Sequence, residues 1–320
     1  MENKNIVKGV LFVGLGAAFY GMLATFVKLA YQENYTTAEV TTAQVFLGIF
    51  GLMILNIIQT SFSKKKLAKP TKKDALKLIL AGTSLGFTSL FYYLSVQYIN
   101  VSIAIVLLMQ SVWFSVVVES FITKKFPNAR KILATVIVLV GTLLATNSFS
   151  GAIHLDVKGV FWGILAAVSF TVTMFTSNTI ATYLSPLRKT FIMLLGAGIV
   201  VSIFLFFAQI GPQYFVDLKN LYLNFSENES HIRPFDFSII WKYGLILSLF
   251  GTILPPILFN TGFPNAGLGL GSIVSSLELP VSVTMAHILL GESVLLVQWC
   301  GITLILLAIV LMNLPSKKIS

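Results

Sequence analysis

Charged side chains are scarce in this sequence. They make up 11% of the 320 residues, whereas hydrophobic residues make up 56%, and an ordinary soluble domain carries roughly 25% charged residues. A water-soluble fold of this length would lack the charges to cover its surface, so the composition excludes that class. The chain has one cysteine, Cys300, which excludes an intramolecular disulfide and gives no support to redox chemistry.

Ionisable residues are also missing where an enzyme would need them. All the aspartates lie outside the long apolar blocks of the chain, and His287 is the one histidine inside such a block. An intramembrane enzyme would need a nucleophile, an acid–base pair or a metal cluster, and none can be assembled from these positions. We therefore expect no enzyme, no metal and no cofactor. The rings of charge that are typical of channels are absent as well.

The hydrophobic residues that are present fall in ten long blocks. Each block is near the length of about 20 residues that a helix needs to cross a bilayer. None alternates polar and apolar residues as a barrel strand does, so an all-α integral membrane protein with ten transmembrane helices is predicted. The first block follows two lysines, as in a signal peptide, but it is long enough to span the bilayer and is expected to be retained. The blocks are 9–30, 40–60, 76–98, 101–120, 130–147, 159–180, 188–210, 240–262, 267–290 and 294–314.

The basic residues between the blocks and at their ends are distributed unequally. If the N-terminus is cytoplasmic, 17 of the 22 Lys and Arg residues, including Arg188 and Lys189, fall on the cytoplasmic side and 5 on the outer side. This bias predicts a multi-pass protein of the plasma (inner) membrane with both termini in the cytoplasm. It also explains the net charge of +10 without a nucleic-acid partner; the lipid bilayer is the expected partner.

Short matches along the chain indicate an internal repeat. Residues 8–10 recur as 158–160, residues 98–100 resemble 263–265 at an offset of 165, and residues 136–141 resemble 303–308. The order of the matches predicts two five-helix repeats, 1–150 and 151–320. Because five is odd, the second repeat must enter the membrane from the opposite side, an inverted topology found in many secondary transporters.

The ninth block carries a more specific pattern. It contains Glu278 and Pro280 near its middle and ends at Gly291-Glu292. This stretch resembles the ninth helix of EamA-type members of the drug/metabolite transporter (DMT) superfamily, which show a Glu and a Pro early in that helix and a Gly-Glu at its end. The pair is adjacent in the common pattern, whereas Leu279 separates it here. The resemblance implies export of amino acids, related metabolites or drugs.

Glu278 is the most informative polar residue because it lies at the midpoint of its block. A carboxylate at the bilayer centre costs several kcal/mol unless it faces a cavity or a partner, or takes up a proton. We therefore predict that Glu278 binds substrate, through an ammonium group, and couples transport to protons. The alternative is a protonated Glu278 that is hydrogen-bonded to a neighbouring helix.

Four further residues are predicted to share the substrate site. Tyr20 and Gln110 lie near the middle of blocks one and four, and the offset of 165 pairs Gln110 and Trp113 with Ser275 and Glu278. Each pair has i, i+3 spacing, so each lies on one helical face and would line one wall of a central cavity. The alternatives are an interhelical hydrogen bond for Gln110 and packing for Tyr20 and Trp113.

Asn260 is the last predicted substrate-binding residue. It follows Pro255-Pro256 near the middle of block eight, where two missing backbone donors predict a bend. Bent helices at mid-depth often border transport sites, although a passive kink is the alternative.

Other polar and small residues are interpreted as structural. We expect close helix packing at Gly82, Gly86 and the glycines of 267–271, and an interfacial Glu119 that pairs with Lys124 or reaches the headgroups. Glu292 is expected to cap the start of the last helix.

These features together predict a secondary transporter that works by alternating access and exports its substrate in exchange for protons. Its small-molecule substrate would be an amino acid or a related neutral, zwitterionic or cationic compound, since cations are nearly absent at mid-depth. A carrier of sugars or nucleotide sugars from the same superfamily is the main alternative, and an intramembrane enzyme is a weaker one. The oligomeric state is left open.

Overall fold

Long apolar runs with capped ends give this chain an all-helical architecture. The computed structural model describes residues 2–63, 67–99, 101–146, 156–225, 232–291 and 293–313; these ranges are 86% helical and contain no strand. Three π turns interrupt the helices, at Phe206–Ile210, Ile240–Gly244 and Leu249–Ile253. The α-helices are α1 (Glu2–Gln32), α2 (Thr37–Phe62), α3 (Lys72–Tyr98), α4 (Val101–Leu108), α5 (Ser111–Thr123), α6 (Ala129–Ala145), α7 (Val157–Thr179), α8 (Pro186–Leu205), α9 (Gly211–Tyr214), α10 (Val216–Phe225), α11 (Leu245–Ser248), α12 (Leu254–Ala266), α13 (Leu268–Ser275), α14 (Glu278–Leu290) and α15 (Leu296–Asn313).

Eight helical stretches of the described residues are long and apolar enough to cross a membrane. The prediction of an all-α integral membrane protein is therefore confirmed. The predicted blocks 130–147 and 294–314 correspond to α6 and α15, which are shorter, and α15 contains an apolar helix at Leu296–Met312. The eight stretches are Asn5–Gln32, Thr37–Phe62, Lys72–Val96, Ile103–Thr123, Val157–Thr179, Pro186–Tyr214, Ile240–Ala266 and Leu268–Leu290.

Capping side chains set the starts of several helices. At α2, the Thr36 hydroxyl accepts a hydrogen bond from the Glu39 backbone N–H (3.1 Å), and the Glu39 carboxylate accepts one from the Thr36 N–H (2.8 Å). This reciprocal capping box satisfies two backbone donors that the first turn leaves free. At α8, Ser185 caps the helix and Pro186 occupies its first turn, where the missing N–H has no consequence.

Two blocks that the sequence predicted as continuous helices are broken in the middle. Block 101–120 is divided into α4 and α5 at Met109–Gln110, and block 267–290 is divided into α13 and α14 at Ser276–Leu277. Pro280 explains the second break, because it has no N–H to donate to the carbonyl of Ser276. That carbonyl accepts instead from the Leu279 N–H, one residue earlier (3.2 Å).

The two broken helices match each other residue by residue. Leu268 lies 167 residues after Val101, and the same distance separates the two breaks, the two ends and the left-handed residues Lys124 and Gly291 that close them. The equivalent of Glu278 is therefore Ser111. The offset of 165 read from residues 98–100 is wrong here, because α3 and α12 end at different points within that match.

Close helix crossings depend on glycine, as expected for Gly82 and Gly86. A Cβ on Gly82 would overlap the Met193 carbonyl, and one on Gly86 would lie 3.0 Å from the Ala197 carbonyl. These contacts bring the backbones of α3 and α8 together. In the same way α1 packs along α12 and α7 packs along α3, and the core between α1, α7 and α12 contains Phe170 and Phe259.

A π turn lies at the position where Pro255-Pro256 predict a bend. The turn occupies Leu249–Ile253, and both prolines fall in the first positions of α12, which begins directly after it. A π turn contains one residue more than a turn of α-helix. The extra residue relieves the clash that each proline ring would otherwise make with a carbonyl one turn upstream.

Candidate functional site

A cavity of about 300 Å³ reaches from the break in helix α13–α14 to one end of the molecule. It lies between α1, α3, α7 and α14, with α15 at its rim. At that end the lining includes Lys28 and Ser293, which are exposed. We call this end the mouth. The lining is rich in aromatic side chains and includes Tyr20, Tyr31, Tyr92, Tyr93, Phe170 and Glu278.

Glu278 lies at the inner limit of the cavity, as the first residue of α14. Its carboxyl oxygen Oε2 is buried, and no hydrogen-bond partner reaches it from the described residues. None of the described lysines or arginines forms an ion pair with it. The partial positive charge at the N-terminus of α14 favours negative charge at this position. Glu278 thus lines the cavity and carries one buried carboxyl oxygen whose hydrogen-bonding capacity is unfilled.

The opposite break has a matching feature. Ser111 is the first residue of α5 and is completely buried, and its hydroxyl oxygen finds no partner in the part of the chain that the structure describes. Both repeated breaks therefore carry an unsatisfied polar side chain at the start of their second helix. Ser111 could have been found from sequence only with the correct offset of 167.

Tyrosines form much of the cavity wall. The Tyr20 ring lines the cavity and packs edge-on against Phe170, with ring centroids 6.2 Å apart, so the site and packing interpretations both apply to it. The Tyr31 and Tyr93 rings make a similar contact at 6.1 Å. Tyr31, Tyr92 and Tyr93 were not predicted as site residues, although the pair Tyr92-Tyr93 within an apolar block was a usable signal.

Three predicted site residues lie outside the cavity lining. The Gln110 amide donates to the Val106 carbonyl (2.9 Å) and accepts from the Trp113 indole (2.9 Å), and Trp113 is 38% exposed. Ser275 is buried and donates to the Ser272 carbonyl at 2.8 Å. The structure does not bring these three side chains together with Glu278, and their part in binding stays a prediction.

Asn260 also lies away from the cavity, towards the end opposite the mouth. Its amide Nδ2 donates to the Thr190 hydroxyl at 2.9 Å, so it joins α12 to the first turns of α8. Lys189, predicted to lie at the cytoplasmic end of block 188–210, precedes Thr190 in the sequence and is 1% exposed. We call this region, where α7 and α12 end and α8 begins, the closed end, because none of its residues lines the cavity.

An ion pair occupies the start of α13. Glu119 pairs with Lys131, and not with Lys124 as one interpretation held. A Cβ on Gly269 would overlap the Glu119 carboxylate, and Gly267 has a left-handed φ of 80°. The packing interpretation therefore holds for Gly269 and for Gly271, where a Cβ would overlap the Phe263 ring, whereas Gly267 is explained by its positive φ. Glu292, expected to cap α15, lies outside the described residues.

Hydrogen bonds and an ion pair join the start of α2 to residues on both sides of α9 and α10. Glu39 is fully buried and accepts hydrogen bonds from Gln209 (2.9 Å), from the Asp236 N–H (2.9 Å) and from Arg233, with which it forms an ion pair at 2.8 Å. These contacts could not be predicted from the sequence, because the partners are 170 to 197 residues apart. Within the described ranges, no three His, Cys, Asp or Glu side chains gather into a group that could hold a metal ion.

Comparisons with known proteins agree with this architecture. The chain matches the EamA-like transporter family over residues 7–147 and again over 157–314. It is 25% identical over 319 residues, 97% of each chain, to the uncharacterized inner membrane transporter YicL of Salmonella typhimurium strain LT2. It is also 28% identical over 163 residues to the uncharacterized transporter YxxF of Bacillus subtilis strain 168, which is 50% of this chain and 49% of that one.

A solved crystal structure has the same fold. It superposes with a TM-score of 0.72 over 96% of this chain and 98% of its own, at 12% sequence identity. The family matches cover nearly the whole chain, and the full-length relative is named as a transporter. The chain belongs to the EamA-like transporter family of the DMT superfamily and is a membrane transporter rather than an enzyme.

Proposed function

We propose that this protein exports a small metabolite, an amino acid or a related compound, through the cavity that Glu278 closes at its inner limit. One observation carries the proposal: Glu278 lines a cavity that is open at one end, and one oxygen of its carboxyl group is buried without a partner among the described residues. A carboxyl group in this position either binds a cationic group or takes up a proton. Both reactions suit a secondary transporter.

The lining favours neutral, zwitterionic or cationic cargo. Glu278 supplies a negative charge at the inner limit, and the rings of Tyr20, Tyr92 and Phe170 provide faces on which an ammonium or an apolar group can rest. A nucleotide sugar carries phosphate, and its negative charges would meet the Glu278 carboxylate without a described cation at the same depth. We therefore place sugar and nucleotide-sugar cargo second.

The proposed mechanism is alternating access by two inverted five-helix repeats, 1–150 and 151–320. Support comes from the matched breaks in α4–α5 and α13–α14 and from the crossed packing of α1 with α12 and α7 with α3. In this arrangement α6 and α15, which pack along each other, complete a set of ten membrane helices. Two similar halves can rock about the central site and open either end.

Proton coupling follows from the exchange of ligands at Glu278. A carboxylate that binds the cargo at one side of the membrane and a proton at the other links the two movements. The described ion pairs leave Glu278 unneutralised, so one of these ligands offsets its charge in each state. Inward movement of a proton would then drive outward movement of the cargo.

The proposed location is the plasma (inner) membrane, and both termini are proposed to lie in the cytoplasm. The 17 to 5 distribution of basic residues supports this orientation, and YicL is named as an inner membrane protein. In this orientation the mouth faces outwards, since α1 runs from the cytoplasmic N-terminus to the mouth.

The test compares the metabolites released by cells that express wild type, Glu278→Gln, Glu33→Gln or an empty vector. Glu33 is an exposed carboxylate outside the cavity and is the matched control. We expect one class of neutral, zwitterionic or cationic compound to accumulate outside cells with wild type and Glu33→Gln only. Equal release from all four, at equal expression, would contradict export.

A further inference from the structure

Lys189 is one of the largest side chains that the structure buries completely, and the cavity does not explain its role. It is 1% exposed, and its ammonium Nζ donates to the carbonyls of Thr176 and Ser177, both at 2.9 Å. None of the described carboxylates forms an ion pair with it. Among the described residues, the partners of this buried ammonium are thus backbone carbonyls.

The end of α7 explains why this burial is tolerated. Thr176 and Ser177 are in the last turn of α7, which ends at Thr179, and the C-terminus of a helix carries a partial negative charge. The two carbonyls satisfy two of the three N–H donors of the ammonium. The removal of an ammonium from water is costly, and carbonyl partners without a full negative charge return only part of that cost.

The neighbouring contact also has unfilled capacity. Thr190, next to Lys189, accepts from Asn260 of α12, while the other amide atom of Asn260, Oδ1, is buried and finds no partner among the described residues. The closed end is therefore shut by a contact between α8 and α12 that buries groups with a strong affinity for water. Entry of water would satisfy both Lys189 and Asn260.

We propose that Lys189 is the residue that lets the closed end reopen. In the conformation described here its ammonium lies on the α7 carbonyls, and when the closed end opens it is hydrated. The gain in hydration offsets the apolar packing that is lost on opening, so both conformations stay populated. Lys189 touches no cargo; it is a positioning residue for the transport cycle, and the inference rests on the proposed alternating access.

The direction in which Lys189→Met shifts the equilibrium distinguishes this proposal from a role in which Lys189 only stabilises the closed conformation. Methionine has a similar length and no charge, so Lys189→Met packs in the closed end without a desolvation cost and loses the hydration of the open form. Replacement of a buried ion by an apolar side chain of similar volume is often neutral or stabilising. Lys189→Met should therefore favour the closed conformation. If the Lys189 contacts only stabilised that conformation, their removal would favour the open one.

The accessibility of an introduced cysteine measures the opening of the closed end without any substrate. In a Cys300→Ser background, one reporter is Ser177→Cys, which is buried at the closed end, and the other is Ser282→Cys, which lines the cavity. The full chain in nanodiscs is treated with a water-soluble maleimide. Each reporter is combined with Lys189, Lys189→Met, Lys189→Arg, or Lys125→Met as a control on an exposed lysine.

We expect Lys189→Met to slow labelling of Ser177→Cys about tenfold, in line with the stabilisation that removal of a buried ion gives, and to leave Ser282→Cys as fast or faster. Lys189→Arg keeps the charge and should restore labelling of Ser177→Cys. Unchanged or faster labelling of Ser177→Cys in Lys189→Met would overturn the proposal, as would a Lys189→Met protein that fails to fold. A Ser177→Cys thiol that never reacts in the Lys189 parent would also overturn it. Because no cargo is present, failure of the export experiment does not imitate any of these results.

Discussion

At the level of single residues, the surroundings of a carboxylate determine what it can do. Glu39 is buried, and its two carboxyl oxygens together accept hydrogen bonds from four donors, one of which is Arg233. Glu33 is exposed and bonds to Lys242 and Tyr243, and the hydrogen bond from Lys242 is the main reason that the pKa of Glu33 lies below its ordinary value. Glu278 has an oxygen with no described partner. The first two carboxylates join separate parts of the chain, and the third keeps unused hydrogen-bonding capacity beside the cavity.

This difference gives a prediction for two conservative substitutions. Glu39→Gln should destabilise the protein by about 3 kcal/mol, because it leaves buried donors and the Arg233 guanidinium without their anion. Glu33→Gln removes a contact in solvent and should have a much smaller effect. Thermal unfolding of both variants in the same detergent measures the two losses, and a loss for Glu33→Gln as large as that for Glu39→Gln would contradict the account.

The same surroundings explain which residues the sequence could identify. Glu278 was found by counting from the ends of its block, because depth in a membrane is a one-dimensional property. Lys189 was predicted to lie at the cytoplasmic end of block 188–210, although the turn before it brings its side chain back onto the end of α7. Tyr31 and Tyr93 meet across two helices, and a single sequence contains no signal for such a pairing.

At the level of elements, the helices were easier to predict than their interruptions. The spans follow from runs of apolar residues, and eight of them are present within the described ranges. The breaks before Ser111 and Glu278 were missed because one residue without an N–H, or one polar side chain bonded to its own helix, is enough to change the local hydrogen bonds. In both cases the break brings an unsatisfied side chain to the start of a helix, as is typical of transport sites.

Helix crossings give a second prediction at this scale. A Cβ on Gly196 would overlap the backbone carbonyl of Ile79, whereas one on Gly14 would meet two side chains at an ordinary distance of 3.6 Å. Gly196→Ala should therefore cost about 3 kcal/mol, because α3 and α8 must move apart. Gly14→Ala should cost nothing measurable.

Thermal unfolding of the two glycine variants is the appropriate measurement. Both residues are buried within membrane helices, so the comparison controls for helix propensity and for burial. Equal stability of Gly196→Ala and Gly14→Ala would show that the α3–α8 crossing is looser than the structure indicates.

At the level of the whole molecule, one end of the bundle is open and the other is shut. The mouth is lined by α1, α3 and α14, while contacts such as Asn260 with Thr190 and Glu119 with Lys131 lie at the far ends of the helices. The family match extends over both halves of the chain. The offset between the halves changes along the chain, because the connections differ in length, and for that reason residue matches alone misaligned helices four and nine by two positions.

The central claim is that Glu278 couples the cargo to protons, and one measurement tests it most directly. The compound identified by the release experiment is followed in vesicles that contain wild type or Glu278→Gln, with and without an imposed proton gradient. The account predicts that the gradient accelerates transport by wild type and has no effect on transport by Glu278→Gln, which should fold normally because the amide has nearly the same shape. A Glu278→Gln protein that responds to the gradient as strongly as wild type would contradict the claim and would assign coupling to another residue.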